Sequence, residues 1–191
     1  MSRLLKRVAD RVAAAVLLLL LSPLLAAIAV WILLDGGRPV LLAQERVGKD
    51  GKRFAMLKFR TMVPNALELA HGLTDDPYGV VPDDPRITKP GGLLRRTSLD
   101  ELPQLWNVLV GQMSLVGPRP PLPREVADYD LWHRRRLSMK PGITGLWQVE
   151  ARRDSDFDRW VELDLAYIDR WSIWLDLKIM IRTIPAMLQG R

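Results

Sequence analysis

Between Val12 and Leu34 the chain carries 23 consecutive residues without a charge, and this run limits the possible folds more than any other feature. A straight helix over it rises about 34 Å, enough to match a bilayer core of roughly 30 Å. A membrane segment is therefore expected. A cleaved leader fits less well, because Asp35-Gly36-Gly37-Arg38-Pro39, which follows the run, is no small-residue cleavage site. Near the middle stand Ser22 and Pro23. Proline has no amide hydrogen and crowds the preceding turn, so a break here leaves two arms of about 15 to 18 Å, each reaching roughly mid-bilayer. Arg3, Lys6, Arg7 and Arg11 precede the run while Arg38, Arg46, Lys49, Lys52 and Arg53 follow it, so the positive-inside tendency draws both ends to one side. These features leave open a re-entrant helix-break-helix over residues 1–35 and a kinked spanning helix. In either case the carbonyl freed by Pro23 needs a donor, and the Ser22 hydroxyl is at hand.

The remaining residues, 36–191, suffice for one compact domain with one active site. With no cysteine in the chain, disulfides, thiolate metal sites and a cysteine nucleophile are excluded. The net charge of +6 suits anionic partners, and no nucleic-acid-binding motif accompanies it. Two short strands, Val40 to Ala43 and Phe54 to Phe59, flank the Gly48-Lys49-Asp50-Gly51 turn and read as a β-hairpin. Residues 64–92 are rich in proline and turn residues, after a short helix expected at 65–71. Leu102, Leu105, Trp106, Leu109 and Val110 recur at helical spacing and predict a buried helix that stops at Gly111. Further helices are expected over 124–137, 155–170 and 173–188, with a turn at Pro141 to Gly145. Trp160, Trp171, Trp174, Ile179, Ile181 and Met187 are candidates for core or for membrane-interface contact. The fold class is α/β, a small and mostly helical domain with a short β-hairpin.

Asp100 and Glu101 are the acids that matter most. Ser98 with Glu101 fits a capping box, and with Asp100 as the cap Pro103 falls in the first turn; both registers place Asp100 at a helix entrance. Helix entrances stabilise anions and bind phosphate, so an ionised nucleophile there sits well beside a phosphorylated substrate.

The run RRTSLDELPQLWNVL (residues 95–109), continued by GQMSLVGPRP (residues 111–120), resembles the core signature of the bacterial sugar transferases that act as small, monotopic polyprenyl-phosphate phosphoglycosyl transferases. Similar matches occur at Gln44, Arg46 and Gly48, at Lys58 to Met62, at Lys140 to Gln148, at Glu162 to Tyr167 and at Leu175 to Lys178, so the likeness covers nearly the whole chain. It implies a minimal catalytic unit on the cytoplasmic face of the bacterial plasma membrane, without the additional N-terminal membrane region of larger relatives, and it favours the re-entrant hairpin. It also implies the reaction. Asp100 attacks the β-phosphate of a UDP-sugar, expels UMP and passes the phosphosugar to undecaprenyl or another polyprenyl phosphate, in ping-pong fashion, to begin exopolysaccharide or other glycoconjugate assembly. Glu101 then assists as a base or orients the acceptor. Lys58, Arg95 and Arg119 contact phosphate, Gln148 and Arg152 touch nucleotide or sugar, and Mg²⁺ binds through Asp100 and the diphosphate. Hexose donors such as UDP-glucose or UDP-galactose are favoured, and anionic membrane lipids are expected neighbours. Arg96, Arg134, Arg135 and Arg136 read as surface or headgroup contacts, and His133 as a surface histidine. One departure stands out: a glycine usual in the family is Ala151 here, which would strain a left-handed backbone at that position.

Two other readings compete. A metal-dependent UDP-sugar glycosyltransferase would use Asp75 and Asp76 or Asp83 and Asp84, yet no nucleotide-binding βαβ pattern precedes them. A non-enzymatic membrane scaffold would explain the charge and the apolar run, but not Asp100 and Glu101 beside Gly117-Pro118-Arg119-Pro120.

Overall fold

A computed structural model describes residues 3–66, 69, 84–151, 154 and 156–188, with Met187 and Leu188 as backbone only. The apolar run lies within one helix, α1 (Arg3–Gly36), which includes Pro23. The expected helix-break-helix is thus a single element. Its continuity has a local cause. Pro23 cannot donate to the carbonyl of Leu19, and the Ser22 hydroxyl does so instead at 2.8 Å.

One face of α1 is seated on the rest of the molecule along most of its length. Ala14, Leu18, Leu21, Leu25, Ile28 and Ile32, alternately four and three residues apart, form the seam. The first three pack with Phe54, Met56, Leu105, Val108 and Met113, the last three with Phe59 and Leu94. From Ala14 to Ile32 the seam is about 27 Å long. The other faces carry Leu19, Leu20, Trp31 and Leu34 into the open, Leu34 being 82% exposed.

Both ends of α1 are also fastened by polar contacts. Lys6 is buried and its Nζ lies 2.7 Å from Asp176 and 3.4 Å from Asp10. Asp176 also accepts from the Tyr167 hydroxyl, and Asp10 from that of Ser114. A buried ammonium requires such compensation. At the other end Arg60 donates to the carbonyls of Gly37 and Arg38, the two residues that follow the helix.

The expected hairpin forms from β1 (Leu41–Val47) and β2 (Arg53–Phe59), antiparallel, with Leu41 opposite Phe59 and Val47 opposite Arg53. β1 is longer than expected. The outer edge of β2 is covered by one side chain, since Asn107 accepts from the Leu57 amide and donates to the Ala55 carbonyl. A helix α2 (Lys89–Thr97) follows, capped by the Thr88 hydroxyl and ended by Ser98 at φ 55°. Next come a 3-10 turn (Leu99–Glu101) and α3 (Gln104–Leu109). The buried face of α3 differs from expectation: Gln104 and Asn107 are inside with Leu105 and Val108, while Trp106 and Val110 are exposed.

β3 (Ser114–Val116) pairs in parallel with β4 (Gly142–Thr144), so the segment expected as a turn is a strand. The two backbones touch. A Cβ on Gly142 would lie 2.1 Å from the Gly117 nitrogen. Between them, the single helix expected over 124–137 is divided into α4 (Pro123–Ala127), α5 (Leu131–Arg134) and a 3-10 turn (Arg135–Ser138). The Asp130 amide donates to His133 Nδ1, which starts the second piece. The chain then forms α6 (Leu146–Glu150), α7 (Phe157–Asp169) and α8 (Ile173–Leu188). Val116, Met139, Tyr167 and Ile179 build the core beneath these helices. Trp174 and Ile181 are exposed, and Ile179 is core. Most of the 65–71 helix lies outside the described residues.

Two readings of surface charge are corrected. Arg136 is buried against Asp164 and Tyr129, and His133 is buried with Nε2 3.1 Å from Asp158. Neighbouring polar groups, invisible in a linear pattern, make the burial tolerable.

Two adjacent glycines in α2 give a paired test. A Cβ on Gly91 would lie 2.1 Å from the Thr61 carbonyl oxygen, whereas one on Gly92 meets nothing within 4 Å. Gly91→Ala is expected to destabilise by about 1–3 kcal/mol, and Gly92→Ala to stabilise by up to about 1 kcal/mol. Thermal unfolding in detergent should move in opposite directions for the two.

Candidate active site

The site begins where β2 ends. Four consecutive residues point to four tasks: Lys58 reaches Glu101, Phe59 enters the core with Ile28 and Ile32, Arg60 holds the end of α1, and Thr61 meets α2. The Thr61 carbonyl accepts the Thr88 amide at 3.0 Å, and its hydroxyl oxygen accepts Arg95 Nε at 2.9 Å. Arg95 is thereby tied to the strand that bears Lys58. Its charge also acts on Asp84, whose carboxyl is held low chiefly by hydrogen bonding to Arg86. Asp84, one of the acids considered for a metal, is occupied by that bidentate pair. Asp75, Asp76 and Asp83 lie outside the described residues.

Asp100 and Glu101 sit in the 3-10 turn joining α2 to α3, and neither expected capping register forms. Ser98 makes no side-chain cap; its left-handed backbone closes α2 as its amide donates a hydrogen bond to the Arg95 carbonyl. α3 begins at Gln104, behind Pro103. The left-handed turn matters more than a cap would, because it sends Leu99 into the seam core and carries Asp100 inside, where it is 3% exposed. Glu101 faces Lys58, with Oε1 2.9 Å from Nζ in a partly buried pair. A carboxylate, a second acid and an ammonium thus adjoin one another at the junction of β2 and α2.

Arg119 belongs to the segment Gly117 to Pro120 that leaves β3. It is held by its own network: Nη1 lies 2.9 and 3.1 Å from the two Glu125 oxygens, and the backbone amide donates to Asp164 at 3.3 Å. β1 fixes the same segment, since Arg46 donates to the Pro120 carbonyl and the Val47 amide to that of Pro121. Lys58 lies opposite Leu42, and Arg46 opposite Phe54, on one face of the hairpin with Gln44 between them. The four-residue step from Lys58 to Phe54 spans about 13 Å. The same face carries Phe54 and Met56, which are buried in the core with Ala14, so the Lys58–Glu101 pair and the Arg119 segment are joined through packed side chains and not across an open surface.

Gln148 stands on α6, beside Trp147, whose ring lies 5.2 Å from that of Trp160. Arg152 lies outside the described residues. Ala151 has φ −137°, so this position needs no left-handed backbone and the replaced glycine leaves no strain. Among the described residues no cluster of three or more His, Asp or Glu side chains could enclose a metal ion. Asp100 and Glu101 fit Mg²⁺ only in the mode where one or two carboxylates hold the ion and substrate phosphates and water complete its shell.

Sequence reasoning missed Thr61, Glu125 and Asp164. Thr61 and Asp164 fall within the stretches that match the family, but their roles come from contacts with residues 34 and 28 positions away. Burial pushes the Asp164 carboxyl up to about 6, against the pull of Arg136.

Residues 1–190 match the bacterial sugar transferase family. The chain is 49% identical over 82% of its length to the galactosyl transferase CpsE of Streptococcus agalactiae serotype III, and covers 36% of that protein. It is 43% identical over 98% of its length to the undecaprenyl-phosphate galactose phosphotransferase of Salmonella typhimurium, covering 41% of it. With the exopolysaccharide production protein ExoY of Rhizobium meliloti the identity is 40%, over 97% of this chain and 86% of the relative. The first two relatives are thus more than twice as long as the matched part. A match over nearly all its residues makes the chain a member of the bacterial sugar transferase family.

Proposed function

We propose that the protein transfers a sugar 1-phosphate from a UDP-sugar to a polyprenyl phosphate. The observation that carries this reading is the buried Asp100 in the same 3-10 turn as Glu101, which pairs with Lys58. Relatives named as undecaprenyl-phosphate galactose and glucose phosphotransferases support it. In the first half-reaction an Asp100 carboxylate oxygen attacks the β-phosphorus, the bond from that phosphorus to the bridging oxygen breaks, and UMP leaves with that oxygen. In the second, an oxygen of polyprenyl phosphate attacks the same phosphorus and frees the Asp100 carboxylate. The products are UMP and polyprenyl diphosphate sugar, and one nucleophile serves both steps.

Phosphoryl transfer depends on positioning and on neutralising oxygens. Lys58 and Arg95, anchored through Glu101 and Thr61, supply positive charge on the Asp100 side, and Arg119 supplies it from the segment that leaves β3. Glu101 fixes the Lys58 ammonium. Its work as a base is small, because a phosphate monoester with a second pKa near 6 is already largely ionised at neutral pH. Mg²⁺ held by Asp100 or Glu101 would withdraw charge from the diphosphate oxygens. The donor sugar is a hexose, galactose or glucose, as in the relatives' names.

The same reading places α1 in the membrane without crossing it, on the cytoplasmic face. The seam supports this: a domain packed along about 27 Å of the helix would have to carry Asn107, Gln104 and Asp100 into hydrocarbon if the helix spanned the bilayer. A helix seated on its domain and exposing leucines on the other faces suits one leaflet. Gln148 and Arg152 are the nucleotide or sugar contacts of this proposal.

With Mg²⁺, undecaprenyl phosphate and UDP-galactose or UDP-glucose, the protein should release UMP, and Asp100→Asn should reduce that rate by about a thousandfold or more. Release of UDP would instead indicate direct glycosyl transfer. The absence of native cysteine permits a topology test. Cysteines placed singly at Leu4 and Arg38 should both resist an impermeant maleimide in intact spheroplasts and both react after lysis. Labelling of just one in intact spheroplasts would mean that α1 spans.

A further inference from the structure

Arg119 is held by two carboxylates, one of which, Glu125, also caps the start of α4. Glu125, which is 5% exposed, accepts Nη1 with both of its oxygens, so one corner of the guanidinium is committed to it. Its Oε2 also accepts the Leu122 amide at 2.8 Å and thereby fixes the turn after Pro120. Asp164, with no exposure, accepts the Arg119 amide on Oδ2, and the same oxygen accepts Arg136 Nε at 2.9 Å and Nη2. Arg136 in turn donates to the Tyr129 hydroxyl and lies over the rings of Tyr129 and Phe157. Two guanidinium groups and two carboxylates thus form a charge-balanced quartet under the segment that leaves β3.

Burying three charges beside a partly exposed fourth is a poor way to gain stability, because apolar groups of the same volume would serve as well or better. Such a cluster does fix geometry. Pro118 and Pro120 limit the backbone on either side of Arg119, Asp164 sets its amide, and Glu125 sets the rotation of the guanidinium. The Nε–Nη2 edge makes no hydrogen bond to the described residues, and the Trp160 ring lies 6.0 Å from Cζ. A planar fork with one corner held and one edge left over matches bidentate binding of a phosphate.

We propose that Glu125 and Asp164 are positioning residues that aim the second edge of Arg119 at the diphosphate of the nucleotide sugar. Neither touches substrate. Their effect passes through Arg119, and the assignment rests on the function proposed above only for the identity of the diphosphate.

The test is a double-mutant cycle on equilibrium binding of UDP-galactose to full-length protein in detergent, in an Asp100→Asn background so that no covalent step intervenes. Arg119→Ala and Glu125→Gln should each weaken binding about tenfold, and together no more than Arg119→Ala alone, because removing the intermediary removes the effect. Galactose 1-phosphate, with one phosphate, should show a smaller loss. Independent effects that multiply to about a hundredfold would overturn the proposal, as would normal binding by Glu125→Gln. If Glu125→Gln does not fold, Glu125→Asp, which keeps the charge but shortens the reach, replaces it with the same expectation. Protein that binds UDP-galactose no better than galactose overturns it too, whereas protein with Asp100 intact that binds UDP-galactose but never releases UMP contradicts only the reaction proposed above.

Discussion

The seating of α1 on the β-hairpin is the contact on which the rest of the molecule depends. A two-stranded hairpin has little independent stability in water, and here its apolar residues Phe54, Met56 and Phe59 are covered by Ala14 to Ile32 together with α2 and α3. The strand that the helix supports is also the strand that organises the site. Phe59 lies in the seam core, Lys58 before it reaches Glu101, and Thr61 after it orders Arg95. A shift of the helix along its groove would therefore move the Lys58 strand relative to the turn that carries Asp100. The seating of the apolar helix and the geometry of the candidate site share one apolar core.

Polar contacts set the register of that core. Lys6 with Asp176 and Asp10 fixes one end of the helix to α8 and β3, and Arg60 fixes the other to the end of β2. Apolar contacts of leucine and isoleucine tolerate sliding, while a buried ammonium without its carboxylate is costly. The same logic applies deeper in the domain. Asn107 closes the hairpin edge and Asp164 gathers donors from β3's exit and from Arg136, so that distant segments are joined by a few buried side chains.

Local chemistry explains what was legible in the sequence. The charge-free run, the hairpin turn at Gly48 to Gly51 and the helices near 155–170 and 173–188 each follow from patterns within a few residues, and they appear close to where those patterns lie. The role of Ser22 as donor for the carbonyl freed by Pro23 was readable for the same reason. What was not legible depends on residues brought from far away. Arg136 and His133 read as surface groups because Asp164 and Asp158 are remote in sequence. Gly142 to Thr144 reads as a turn until β3 comes alongside it, and Ser98 reads as a cap although its left-handed backbone ends one helix instead. The pair Lys58–Glu101 was expected at the site from the family likeness alone, since no spacing rule connects a strand to a turn 43 residues later.

In the proposed reaction a single nucleophile separates the two substrates in time, since a water-soluble donor and a lipid acceptor then need not be bound together. The intact mass of the protein, recorded after incubation with Mg²⁺ and a UDP-hexose but without polyprenyl phosphate, tests that claim most directly. The expected result is a gain of one hexose phosphate, located on the peptide containing Asp100, absent from Asp100→Asn and lost when undecaprenyl phosphate is added. A protein that releases UMP only when the acceptor is present, and never gains that mass, would contradict the covalent route.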